Sequence, residues 1–312
     1  MENLAPNNKR IVKNTLLLYV RMLFLMVVSL YTSRVVLNAL GIEDFGIYNV
    51  VGGMVAMFSM LSGSLSAAIT RFITYELGRG DREKLRTIFS SAVTIQLGLA
   101  GLIIILAEVL GIWFLNSKMT IPLDRLAAAN WVFQFSVLTF AINLVSVPYN
   151  ASIIAHERMS AFAYISIFEA VGKLAIAYLI TISPIDRLVF YAILMCAVAL
   201  IVRFTYGIYC KRHFEECMYH FIFDKNLLKD MFGFAGWNFI GASSSVLRDQ
   251  GGNVVINLFC GPAVNAARGI AFQVNNAVNG FVWGMPMLIM LVGTGILMTI
   301  LTRAFQLSRF GY

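Results

Sequence analysis

The stretch TLLLYVRMLFLMVVSLYTSRVVLNAL, residues 15–40, holds only Arg21 and Arg34 as formally charged groups in a run long enough to cross a bilayer. A spanning helix needs about 20 apolar residues at a rise of about 1.5 Å each. In hydrocarbon only a helix or a closed barrel satisfies its own backbone. Barrel strands are about 10 residues of alternating pattern, which this uniform run is not. A membrane helix is therefore predicted. The run also exceeds the apolar core of a signal peptide, about 7–15 residues, so it is read as a first span that also directs insertion.

Seven further apolar segments follow, at residues 45–70, 87–115, 126–155, 161–182, 188–210, 232–259 and 263–283, with short polar loops between them. The predicted fold is an all-α integral membrane bundle of eight spans, or nine if Pro286 opens another. Residues 1–230 would form a first six-helix lobe and 231–284 the first two helices of a second. Residues 285–312 form an atypical apolar tail. Composition agrees: 59% of residues are hydrophobic and 13% charged, against about 25% charged in soluble domains.

The net charge of +8 does not call for nucleic acid, because the charges follow the loops. One set of loops carries Lys9, Arg10, Lys13, Arg71, Arg79, Arg82, Lys84, Arg86, Arg158, Lys211, Arg212, Lys225 and Lys229. The other carries Lys118, Arg125 and Arg187. Cationic loops stay in the cytoplasm, so the N-terminus is expected there. No loop is long enough to fold as a domain. Cys210, His213, Cys217 and His220 have metal-ligand chemistry, but on one helix they would span about 15 Å, too far for one tetrahedral ion. No metal and no cofactor is expected.

Two stretches read alike: Val35-Val36-Leu37-Asn38 before Gly41, and Val254-Val255-Ile256-Asn257 before Gly261. Each precedes a tight turn into another helix. This suggests a parallel repeat whose second unit begins at the seventh span, the kind of architecture transporters use to place a substrate site between halves. Chance is the competing explanation, since four-residue matches in apolar helices are common.

Charges within the spans carry the functional reading. Arg248 lies about 16 Å along its helix from Phe259, near the midplane. It begins the run Arg248-Asp249-Gln250-Gly251-Gly252-Asn253, which predicts a broken or loosely wound helix lining a cavity. Lys173 and Glu169 are four residues apart on one helical face, either as a self-neutralising pair or as a tuned cavity cation. Arg21 lies within the first span. Asn265, Arg268, Asn275, Asn276 and Asn279 share one face of the eighth. Arg21, Lys173, Arg248 and Arg268 thus suit an anionic substrate, phosphate above all. The acids are candidates for charge balance or for a coupling proton or sodium ion: Glu169 and Asp249, with Glu108 as a further possibility.

The stretch from Tyr31 to Tyr48, YTSRVVLNALGIEDFGIY, resembles the first hairpin of bacterial polysaccharide-export flippases, within the multidrug/oligosaccharidyl-lipid/polysaccharide exporter superfamily. The stretches at 68–73, 78–81, 147–159 and 248–271 are similar to that family as well. The resemblance implies two six-helix lobes around a cationic cavity, in a multi-pass protein of the bacterial inner membrane. It implies that an undecaprenyl-diphosphate-linked oligosaccharide is moved from the inner to the outer leaflet by alternating access, for O-antigen, lipopolysaccharide or capsule biosynthesis. The cationic-cavity role carries over to Arg21, Lys173, Arg248 and Arg268. Membrane lipids are the other expected partners.

Residues 285–312 do not resemble the family's continuation, so a truncated flippase is expected, with an inactive fragment as an alternative. A multidrug extrusion antiporter is another, but its organic cations would call for acidic rather than basic cavity residues. An enzyme is not expected: no His-x-x-x-x-Asp or paired-Asp metal motif occurs.

Overall fold

The computed structural model describes residues 4–220 and, with gaps, residues 229–279. The described residues are helical apart from short connections. The helices of the first part are α1 (Leu4–Leu40), α2 (Ile42–Ala56), α3 (Ser59–Arg79), α4 (Arg82–Leu106), α5 (Ile112–Ser117), α6 (Leu126–Ala155), α7 (Met159–Leu179) and α8 (Arg187–His213). A π-helical turn, Ala107–Gly111, joins α4 to α5. A second, Leu247–Gly251, leads into a helix over Gly252–Cys260, and residues 262–276 are helical again.

Among the described residues, five rods are long and apolar enough to cross a membrane: Leu16–Leu40, Arg82–Ser117, Leu126–Ala155, Met159–Ile182 and Arg187–His213. Their outward faces stay apolar. Leu16, Val20 and Val27 of α1, Val109 and Trp113 beside the first π turn, and Phe204 and Ile208 of α8 are all exposed. That is the pattern of a multi-pass membrane protein, whose outer surface packs against lipid tails.

The second expected span, 45–70, differs from expectation. It is divided into α2 and α3 at Met57–Phe58, where the Met57 N–H reaches both Gly53 and Met54 and the Phe58 N–H reaches Val55. The chain tightens to i→i+3 bonding there and then enters the small, polar run Ser59–Ser66, which weakens the apolar signal. The seventh and eighth spans fall partly outside the described residues. The ninth span at Pro286 and the tail 285–312 lie wholly outside them.

Helix α6 is the centre of the bundle, packed against α2, α3, α4 and α8, while α1 packs along α7. Ile47, Val51 and Val55 of α2 meet Ala129, Val132 and Phe133 of α6 and Leu188 and Ala192 of α8. Such contacts gain dispersion energy, but little hydrophobic energy once lipid surrounds them. Polar ties therefore weigh more in orienting the helices.

The strongest tie sits at the end of the bundle that carries the α1–α2 hairpin. Arg125, just before α6, forks onto Asp44 of α2 through Nε (2.7 Å) and Nη2, and reaches Asp186 through Nη1 at 2.6 Å. Asp186 also caps α8 by accepting the Leu188 N–H at 3.0 Å. Arg187 donates to the Ala39 carbonyl at 3.1 Å. One guanidinium thus pins the α1–α2 hairpin, the α5–α6 loop and the α7–α8 loop together.

The two look-alike stretches have the same backbone turn. Gly41 (φ 84°, ψ 171°) and Gly261 (φ 79°, ψ −178°) both take the positive φ that favours glycine. Each donates its N–H four residues back, to Leu37 and Asn257 respectively. The structural equivalence is thus one residue off the sequence match: Asn257 pairs with Leu37, not with Asn38. Asn257 is fully buried and Asn38 is exposed. At the same offset beyond each glycine, Asn49 and Gly269 lie against one another.

At the opposite end, His156 follows α6, stacks on Phe214 with ring centroids 4.1 Å apart, and bonds Glu216. Burial pushes the Glu216 carboxyl up, but the bonds from His156 and from its own backbone outweigh it and hold the group below its usual value. The folded state thus prefers this carboxylate ionised. Its contribution is complete above the unfolded value, about 4.3, and fades as pH falls through the depressed folded value.

Two outcomes are expected in detergent-solubilised protein. Arg125→Gln should lower thermal stability by roughly 3 kcal/mol, because it leaves the buried Asp44 without its partner; a scanning unfolding trace reads this. Glu216→Gln should flatten the loss of stability between about pH 5 and pH 3 relative to the parent chain.

Candidate functional site

A cavity of about 420 Å³ opens between α1, α2, α7 and α8. Its charged lining consists of Arg21 from α1 with Glu169 and Lys173 from α7; Ser29, Thr32, Ser33, Asn49 and Gln273 add polar groups. Helical spacing explains the placement. Arg21, Val28, Thr32 and Val36 recur along one face of α1, and Ser166, Glu169 and Lys173 recur along the facing side of α7.

Lys173 Nζ donates to Glu169 Oε1 at 2.6 Å. The pair is about 40% exposed within the cavity rather than sealed in the core, at 42% and 37%. Arg21 lies over the Phe162 ring, 4.1 Å from its centroid. Its Nε is buried and has no hydrogen-bond partner among the described residues. An Arg donor left open inside an apolar bundle is costly, and an anion entering the cavity would satisfy it. The cation–π contact holds the guanidinium in place without a carboxylate bonded to its Nε.

The sequence-derived site residues divide into two groups. Arg21, Glu169 and Lys173 share the cavity, whereas Arg248, Asp249 and Arg268 do not line it. Arg248 is 78% exposed and pairs with its neighbour, Nε to Asp249 Oδ1, at 3.0 Å. Arg268 is turned onto the seventh-span segment: Nε donates to Asn253 Oδ1 at 2.8 Å and Nη2 to the Asp249 carbonyl at 3.2 Å. It fills the space beside Gly252, where a Cβ would lie 3.0 Å from its Cζ. The polar run expected to be loosely wound is the π turn Leu247–Gly251, and Arg268 binds one of its carbonyls. Asp249 and Glu108 each lie in a π turn, and Glu108 Oε2 accepts from Gln134 at 3.2 Å.

Gln273 was not singled out by sequence. It reaches across to Ser33, whose hydroxyl donates to its Oε1. Polarity alone does not mark it, because it stands off the face formed by Asn265, Arg268, Asn275, Asn276 and Asn279. Asn265 is buried, and both its amide atoms lack partners among the described residues.

The zinc-like residues point to different places. Cys210 and Cys217 are buried in one apolar cluster, His213 stacks on Tyr209, and His220 meets Arg86.

Comparison with known proteins gives three findings. The family model for polysaccharide biosynthesis proteins matches residues 11–302. An uncharacterized membrane protein, EpsK of Bacillus subtilis (strain 168), is 23% identical over 124 residues, 40% of this chain and 24% of that protein. A solved structure called protein A is similar with a TM-score of 0.75 at 15% identity, over 92% of this chain and 65% of that one. The last likeness concerns the fold.

The ion pair in the cavity sets up a direct test. Lys173→Met should lower the unfolding temperature, because Glu169 then keeps a charge in lipid without a partner. Glu169→Gln combined with Lys173→Met should recover most of that loss, and a double-mutant cycle on unfolding midpoints measures it.

Proposed function

This chain belongs to the polysaccharide biosynthesis protein family, and we propose that it is a flippase for a lipid-linked oligosaccharide. The substrate would be an undecaprenyl-diphosphate-linked sugar chain, carried from the inner to the outer leaflet of the bacterial inner membrane by alternating access. The N-terminus would lie in the cytoplasm, on the side of the cationic loops. No catalytic role is included in this reading.

One observation carries it: Arg21, whose Nε has no hydrogen-bond partner among the described residues, stands beside Lys173 in a cavity inside the bundle. Arg matches a phosphate with paired donors and stays charged in an apolar setting. Lys173 supplies a second cation, with Glu169 able to release or hold it as substrate or a coupling proton comes and goes. Export of organic cations is less well supported, because Glu169, the only acid among the described residues that line the cavity, is already neutralised by Lys173. We assign Arg268 to holding the π turn rather than to the substrate. Arg248 remains a candidate for a surface that substrate meets outside this cavity.

The chain spans 65% of the solved chain it resembles and matches 24% of the Bacillus subtilis protein. The test therefore uses proteoliposomes of the chain itself. A polyprenyl-diphosphate-linked oligosaccharide is loaded, and its exposure is followed with an impermeant sugar-binding protein. The chain should speed exposure, and Arg21→Ala should slow it at least tenfold with unchanged protein in the vesicles. Equal rates for Arg21→Ala and parent would remove Arg21 from the site, and no acceleration by either would overturn the reading.

A further inference from the structure

The seventh-span and eighth-span segments meet α2 along a seam that is tightest at its hairpin end. At the hairpin end, Gly46 lies so close to the Pro262 carbonyl that a Cβ there would overlap its oxygen. One turn further along α2, Asn49 sits against Gly269, where a Cβ would be 2.7 Å from the carboxamide. A Cβ at Gly53 would be 3.2 Å from the Asn253 and Gln250 side chains, and one at Gly251 would be 3.9 Å from Met57. The two hairpins are therefore pressed together most closely where α1 turns into α2, and side chains fill the seam further along α2.

Asn257 fastens the tight end. It is fully buried, yet its carboxamide makes both of its bonds outside its own helix. Oδ1 accepts the Thr120 N–H at 2.9 Å, and Nδ2 donates to the Thr120 carbonyl at 3.4 Å. Thr120 belongs to the same α5–α6 loop that Arg125 pins to Asp44 and Asp186. The loop is thus rigidly part of the first lobe, and Asn257 is the side chain that ties the second hairpin to it. Both of its bonds are to backbone groups, so water can replace them when the hairpins part.

We propose that this seam is the closed gate of the transport path and that Asn257 is its latch, a positioning residue that sets how often the hairpin end opens. The proposal rests on the reading of the chain as an alternating-access carrier. Gly46 and Gly269 allow the closed state because neither carries a side chain at the contact, and among the described residues parting them breaks no buried ion pair. The Arg125 clasp lies entirely within the first lobe and stays intact during opening.

The experiment uses the full chain in sealed vesicles, with Cys260→Ser removing the one exposed cysteine among the four. Thr32→Cys, on the cavity wall, is the reporter. A membrane-impermeant maleimide is applied from the hairpin side, and the labelling rate is followed without any substrate. Asn257→Leu should raise that rate roughly tenfold, the loss of about one net hydrogen-bonding interaction from the closed state alone. An unchanged rate, or an equal rise when reagent is applied from the other side, overturns the latch.

A second arm keeps the proposal testable if Asn257→Leu does not fold. A disulfide between Thr120→Cys and Asn257→Cys, formed with a mild oxidant, should suppress labelling of the reporter, and a reductant should restore it. Undiminished labelling in the cross-linked protein overturns the gate. Because both readouts are conformational, a chain that gates yet moves no lipid-linked sugar overturns only the flippase reading.

Discussion

A single guanidinium organises one end of this molecule. Arg125 holds Asp44 and Asp186 at once, and those acids start or cap the helices that flank the cavity. In a soluble protein such a tie would add to a large hydrophobic term. In lipid the helix surfaces gain little by leaving hydrocarbon, so a partly buried ion triad and a few backbone hydrogen bonds carry a larger share of the orientation. The position of Asn257 follows from this clasp, because it grips a loop that Arg125 has already fixed.

The cavity follows from the same economy of polar groups. α1 and α7 bring Arg21, Glu169 and Lys173 together where they face each other, while Leu16, Val20 and Val27 keep an outward face of α1 apolar. Arg21 is steadied by the face of Phe162 rather than by a carboxylate. A carboxylate there would have closed the site to an anion. The second hairpin contributes Gln273 to the cavity wall, and its contact with Ser33 links the movement of that hairpin to the lining.

Much of the fold was legible in the sequence because a bilayer allows so few solutions. The long apolar runs gave five rods within a few residues of their expected ends, and Gly41 and Gly261 marked the turns. Less was legible where local winding decides. The division at Met57–Phe58 lies at the edge of the serine-rich run Ser59–Ser66, which lowers the apolar signal without marking a break, and the π turns follow from packing that no periodicity records. Gly111, for example, sits where a Cβ would collide with the Phe133 ring. For the site, the i,i+4 spacing was enough to pair Glu169 with Lys173. Nothing in the spacing shows that Arg21 meets those two while Arg268 turns back onto Asn253, because that depends on how the helices are arranged around one another.

The ion pair on α7 has an electrical consequence. With Glu169 cancelling Lys173, the charged lining of the cavity sums to the single positive charge of Arg21. A sugar-linked diphosphate brings two negative charges, so the loaded cavity of the proposed carrier would hold a net negative one. A membrane that is negative inside pushes such a charge outward with about 2.3 kcal/mol per 100 mV across the full thickness. The resting voltage would then favour delivery to the outer leaflet and return of the empty, positive cavity, giving the cycle a direction before any coupling ion is considered.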